Sequence, residues 1–367
     1  MSGHRSTFVL ALIALVAIAC LGIAALLDLR AALVGYLAVA VAVSAIPTGA
    51  LAVLMITYLV RGSWTQGLHV PLAAAALTMP LAGVLFVPVL IGVPWLYPWA
   101  QDADLHGFRA FYLAPGAFVL RTIIYFVIWS ALAIWTRASW AEPRRMLAAA
   151  SAGLIVYALT ASLAGVDWLE SLTPEFHSSI YGLLFLTFQM LTGLAFVLVI
   201  ALWPAGAPTF RYGAILLSVL LLWAYIHAMQ YIVIWTGNIP DEVAWYLARE
   251  SGVWGVLLWT LIILQFVVPF FAMLLERVRN GRAPLLSIAL LTLAMRLLEA
   301  VVLAAPGADV SGSVLLLAVP AATASVGLLW WFGFRIALEQ LRSNERDTAP
   351  LPDVFDAAGT PTSQPRA

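Results

Sequence analysis

The chain contains about ten stretches of some twenty consecutive residues that are almost wholly apolar. In lipid no water is at hand for backbone N–H and C=O groups, so a crossing segment must pair them internally. About 20 residues of α-helix span the ~30 Å hydrocarbon core. The stretches fall at 7–27, 33–60, 70–90, 115–135, 147–166, 180–202, 212–235, 253–275, 285–305 and 313–334. They predict an all-α integral membrane protein filling 1–334. The remainder, 335–367, is polar and Pro-rich and is expected to be a disordered cytoplasmic tail. Composition agrees with this. Of 367 residues, 63% are hydrophobic and 10% charged, with mean hydropathy +1.00, whereas a soluble domain carries roughly 25% charged residues. The first apolar run, at about 20 residues, exceeds the roughly 7–15 of a signal-peptide core and is read as a helix.

Formal net charge is zero. No basic field is present to attract nucleic acid. All 18 basic residues are arginine, and they are sorted by side. One set of helix ends holds Arg5, Arg61, Arg137, Arg144, Arg145, Arg211, Arg277, Arg279, Arg282, Arg335, Arg342, Arg346 and Arg366, while the other holds Arg30, Arg109 and Arg249. The positive-inside rule then places both termini in the cytoplasm of a multi-pass membrane protein. The arginine-poor ends carry the acids Asp102, Asp104, Asp167, Glu170, Glu175, Asp241, Glu242 and Asp309. The single cysteine, Cys20, excludes an intrachain disulfide, a cysteine-ligated iron–sulfur cluster and a CxxCH haem site, and is expected to be a core thiol. Zinc spacing, a phosphate-binding glycine loop and a nucleophile elbow are all missing from the sequence.

An internal repeat is suggested by TGALAVLMI at 48–56 and TGLAFVLVI at 192–200. The offset would pair a half at 31–166 with one at 178–305. Each half would be a four-helix bundle, with the first and last helices flanking the pair. The shift covers four helices, an even number, so the halves would be parallel.

Ionisable groups inside membrane helices are expensive, about 2.5–3.5 kcal/mol each on insertion scales, and are functional candidates by default. This chain places Arg121, His227, Arg296 and Glu299 there. At ~1.5 Å per residue they lie about 9–14 Å below the arginine-poor surface, in one layer. Arg296 and Glu299 are three apart, on one helix face, where they can pair. Two readings follow: structural pins between helices, or a polar path in which Glu299 and His227 join Tyr225, Gln230 and Gln189 to serve protons or a quinol headgroup. Bis-histidine haem b is disfavoured, because His227 is the one histidine well inside a span.

Between two apolar runs stands IWTGNIPDEVAWYLARESGVW, 234–254. Gly237 suits the residue at which a helix ends in the left-handed conformation. Pro240 suits the first turn of a new short helix, and Asp241 and Glu242 suit the positive end of its dipole. Trp245 and Tyr246 are expected at headgroup level, and Arg249, four residues from Trp245, can lay its stem over that ring. The segment is either an interfacial connector or a docking platform for an extramembrane partner.

This segment, with WAYIHAMQYIVIW before it, resembles the ActF subunit of bacterial alternative complex III, in the NrfD/PsrC-like membrane family. YPWA at 97–100, FYLAPGAFVLRTIIYFVIW at 111–129, QFVVPFFAMLLER at 265–277 and the spacing of Arg296, Glu299 and Pro306 extend the likeness across roughly 33–333. It departs from the family at His227-Ala228-Met229 and at Ala300-Val301-Val302. The resemblance implies ten helices in two four-helix bundles and a non-redox subunit of a quinol:electron-acceptor oxidoreductase, not catalytic alone. Its partners would be a paralogous NrfD-like membrane subunit, an iron–sulfur subunit and multihaem cytochrome c subunits. Quinol, haem c and the iron–sulfur clusters would then belong to those partners, with none held by this chain. Arg121, Asn238, Pro240, Asp241, Glu242, Arg296 and Glu299 carry over by motif. Tyr97, Trp99 and Trp245 complete the aromatic, acidic face expected to dock the partners. The alternatives are an NrfD/PsrC-type subunit that binds quinol directly, and a secondary transporter.

Overall fold

The computed structural model describes residues 2–60, 63–65, 67–102, 106–308 and 310–347. Arg61, Asp104, Asp309, Arg366 and the Pro-rich end of the tail, 348–367, lie outside them. The chain forms α1 (Ser2–Leu27), α2 (Leu29–Leu59), α3 (His69–Ala76), α4 (Met79–Leu85), α5 (Val87–Leu96), α6 (Gly107–Tyr112), α7 (Pro115–Ala138) and α8 (Pro143–Trp168). These are followed by α9 (Tyr181–Leu202), α10 (Tyr212–Gly237), α11 (Pro240–Glu250), α12 (Gly252–Leu261), α13 (Val268–Leu274), α14 (Glu276–Arg279), α15 (Arg282–Ala304) and α16 (Gly312–Asp347). Among the described residues there is no strand, and the fold is all-α, as the apolar runs predict. Among the described residues eight helices are long and apolar enough to cross a membrane, or nine when the bent unit His69–Leu85 plus Val87–Leu96 counts as one span. The tenth expected span is α1, whose apolar part, Leu12–Leu27, is shorter. Cys20 on it is half-buried, not a core residue.

Prolines account for the breaks. A proline ring clashes with the carbonyl four residues back. Pro80 acts on Ala76, where α3 ends, and Pro88 acts on Val84, next to the end of α4. The third span therefore bends by 44° instead of running straight. Pro269 acts on Gln265, and there the helix widens into a π-turn over Ile262–Val267, which gives that carbonyl room.

At the centre α2 and α9 cross, both almost wholly buried. Gly49 and Gly193 permit the contact: a Cβ on Gly49 would sit 1.8 Å from the Gln189 carbonyl oxygen, and one on Gly193 would sit 2.3 Å from the Ala50 nitrogen. α2 packs on both α8 and α15, and so does α9. Outside this core α3 lies on α2 and α10 lies on α9, while α1 and α16 pair with each other against α2. Contacts between helix ends fix the arginine-poor face. Asp28 caps α2 by accepting from Ala31 N at 2.9 Å and receives Ser311 N at 3.4 Å. At the opposite face Arg282 donates to the carbonyls of Trp203 and Pro204 at 2.7 and 2.8 Å. α16 continues to Asp347, past the expected start of the tail, with Arg335 and Glu339 paired one turn apart at 3.0 Å.

Candidate functional site

α15 presents Arg296 and Glu299 on one face, and both are 1% exposed. They form a close ion pair without the alignment of a hydrogen bond. α10 supplies the rest of the cluster. Trp223 Nε1 donates to Glu299 Oε1 at 3.1 Å, and His227 Nε2 lies 3.0 Å from the same oxygen. Trp223 and His227 are four apart, so one helix face carries both. The Arg296 guanidinium stands 4.5 Å from the Trp223 ring centre, a cation–π contact in a desolvated place. Its Nε and Nη2 have no hydrogen-bonding partner among the described residues. Trp223 was invisible to sequence reasoning, because a tryptophan in an apolar run looks like core until its indole N–H finds a carboxylate.

Arg121 belongs to a different centre. It makes a bidentate pair with Asp167, Nε to Oδ2 and Nη2 to Oδ1, both at 2.9 Å. Its Nη1 donates to the Tyr112 carbonyl at 2.7 Å, and Tyr125 adds its hydroxyl to Asp167 at 2.8 Å. Asp167, expected among the acids at the arginine-poor end, is in the last turn of α8 and 1% exposed. Three donors satisfy its carboxylate in the buried setting where an unpaired charge would be most costly. This is a structural lock between α7 and α8.

The other polar candidates are dispersed. Gln189 accepts from Tyr157 at 2.7 Å. Gln230 accepts from Ser178 at 3.3 Å, near the arginine-poor surface. Tyr225 is 59% exposed on the outside of the bundle, away from Glu299. Gln265, not anticipated from sequence, is fully buried in the π-turn with neither side-chain polar atom partnered among the described residues. The signal for it was present in the spacing Gln265 to Pro269.

At the arginine-poor end the 234–254 segment folds as its residues predict, with one shift. The left-handed residue is Asn238 (φ 49°), one place after Gly237, which stays helical. Asparagine tolerates that conformation through its short polar side chain. Pro240 opens α11 with Asp241 and Glu242 in its first turn. Arg249 is buried, its guanidinium 3.4 Å from the Trp245 ring centre. It donates to the carbonyls of Val302, Leu303 and Trp245 at 3.0, 2.8 and 2.9 Å. Two of these are otherwise unpaired carbonyls at the C-terminus of α15, where the helix dipole favours a cation. Burial lowers the Arg249 pKa to about 9, so it remains charged at neutral pH.

Asn238, Pro240 and Asp241 are exposed and Glu242 half-exposed, so these form a surface. Trp245 and Tyr97 do not. Trp245 stacks on Phe176 at 4.5 Å, and Tyr97 donates to the Trp168 carbonyl at 2.9 Å. Burial and the nearby Asp167 push the Tyr97 hydroxyl well above its ordinary pKa. Trp99 is also buried, and it walls two adjoining cavities of about 240 and 620 Å³ on this face. These rings support the platform from beneath, because near a helix end an aromatic residue packs inward as readily as it reaches for headgroups. No protein-family model and no curated protein matches the chain.

Proposed function

We propose that the chain is an integral membrane subunit of a respiratory quinol-oxidising complex, an ActF-like scaffold that holds electron-transfer subunits at its arginine-poor face. The observation that carries this reading is the built platform of α11. A short amphipathic helix is locked onto the end of α15 by Arg249 and underpinned by Trp245 and Phe176, and it displays Asn238, Pro240, Asp241 and Glu242 outward. A mere connector needs none of this fixing. Rigid polar presentation over an aromatic base is what a docking surface requires, since preorganised groups lose less entropy on binding. The iron–sulfur subunit and the multihaem cytochromes, with their clusters and haem c, are the partners that the likeness brings to this face, while the paralogous NrfD-like subunit, to which the likeness assigns the quinol site, would sit beside the chain in the membrane. The test replaces Asp241 and Glu242 by Asn and Gln and leaves buried Trp245 intact. The expected result is a folded chain that purifies without haem- and iron–sulfur-bearing subunits. Full retention of them would contradict the reading.

The polar cluster supports a second role within the same reading, a proton path. Nε and Nη2 of buried Arg296, beside Glu299, have no hydrogen-bonding partner among the described residues and are places suited to bound water, which buried polar groups recruit. His227, 27% exposed, links Glu299 to the bundle surface. Glu299→Gln should lower proton-coupled turnover while the complex still assembles. Unchanged turnover with unchanged proton stoichiometry would eliminate the path.

A further inference from the structure

The 3₁₀ turn after α8 carries a carboxylate that the cluster and the lock do not use. Glu170 is 7% exposed. Its Oε1 accepts from Ser178 N at 2.7 Å, while its buried Oε2 has no partner among the described residues. A carboxylate oxygen in such a place costs several kcal/mol unless a cation or donor meets it or the group takes up a proton. Glu170 lines the ~240 Å³ cavity, beside the aromatic walls Trp99, Tyr112 and Phe176. That cavity shares Trp99, Arg109, Pro174 and His177 with the ~620 Å³ cleft rimmed by Asp102, Glu175, Asp241 and Glu242. The lining of the two thus sets five carboxylates against one arginine, Arg109, which donates to the Pro174 carbonyl at 3.2 Å. Among the described residues no group of three His, Cys, Asp or Glu could hold a metal ion. The cleft therefore suits an organic cation with reach.

We infer that this cleft receives an arginine side chain from an extramembrane partner protein, with its guanidinium paired to the Glu170 carboxylate. The inference rests on the docking reading above and names the chemistry of one contact within it. Arginine fits better than lysine. Its planar head is weakly hydrated, stacks on aromatic rings and meets a carboxylate in a directed way. The rim acids steer the cation inward, and the buried carboxylate holds it.

The experiment uses the full chain in nanodiscs and a fluorescent Gly/Ser peptide carrying three arginines, with a citrulline version as control. The arginine peptide should bind saturably and the citrulline peptide should not. Glu170→Gln, which keeps an acceptor for Ser178 N, should weaken binding by about tenfold or more, as loss of a desolvated charge partner does. Arg109→Ala, which removes the competing cation, should tighten it. Wild-type affinity in the Glu170→Gln protein would overturn the inference, since only diffuse attraction to the acidic rim would remain; weaker binding after Arg109→Ala would overturn it as well. The two readings separate cleanly. A chain that purifies without haem partners yet loses the peptide on Glu170→Gln defeats the respiratory role and keeps the cleft. Partners retained with peptide binding indifferent to Glu170 defeat the cleft alone.

Discussion

Asp167 shows how a buried charge is held by its neighbours. It binds both prongs of Arg121 and the Tyr125 hydroxyl, so Asp167→Ala leaves a guanidinium stranded at the α7–α8 seam. The expected loss is about 3–5 kcal/mol, as for breaking other buried pairs, read as a lowered unfolding midpoint in detergent. Replacing both Arg121 and Asp167 by leucine should recover most of that loss, because well-packed apolar pairs often match buried ion pairs. If the double variant is no better than the single, the pair does more than lock two helices. The sequence displayed Arg121 as an intramembrane charge but hid its partner. Asp167 lies 46 residues away and at a span boundary, where an acid reads as solvated. Glu299 was found for the opposite reason: Arg296 is one turn away, and helix geometry brings the two together.

Among the elements, the α2–α9 crossing is the least forgiving. Both Thr48 and Thr192 turn their hydroxyls back to carbonyls of their own helices, Ser44 and Phe188, which leaves Gly49 and Gly193 to meet backbone on backbone. Gly49→Ala puts a methyl where the Gln189 carbonyl stands, so the helices must separate and folded yield should collapse. Gly22→Ala, with nothing within 4 Å of the new Cβ, should be tolerated and gain up to about 1 kcal/mol, as alanine does over glycine inside a helix. Equal effects of the two would show that the crossing is not close-packed. The apolar runs made the long helices legible, because a twenty-residue oily stretch has few alternatives in lipid. Breaks were harder to read. Pro47 and Pro320 sit inside unbroken helices, whereas Pro80, Pro88 and Pro269 bend or widen theirs, and which of these happens depends on neighbours that take up the freed carbonyl. The polar tail was placed too early because helix α16, once started, runs on through Arg335 and Glu339.

For the whole molecule, arginine sorting along the chain and the packing of helix ends define the same two faces. One gathers Arg282 with the α9–α10 turn, and the other gathers Asp28, Glu170, Arg249 and the α11 platform. Between the two faces, α2 and α9 cross at the centre and each packs against α8 and α15. What the sequence could not reveal is which aromatic residues at the arginine-poor end look outward. Tyr97 and Trp245 turn in, and the exposed surface is left to Asn238, Pro240, Asp241 and Glu242. The account's central claim is that this face holds redox proteins. Its most direct test is to solubilise the tagged chain gently, purify it, and record the reduced-minus-oxidised absorption spectrum together with the masses of what accompanies it. The account predicts c-type haem bands and several large co-purifying subunits. A colourless protein that purifies alone or with copies of itself would contradict it.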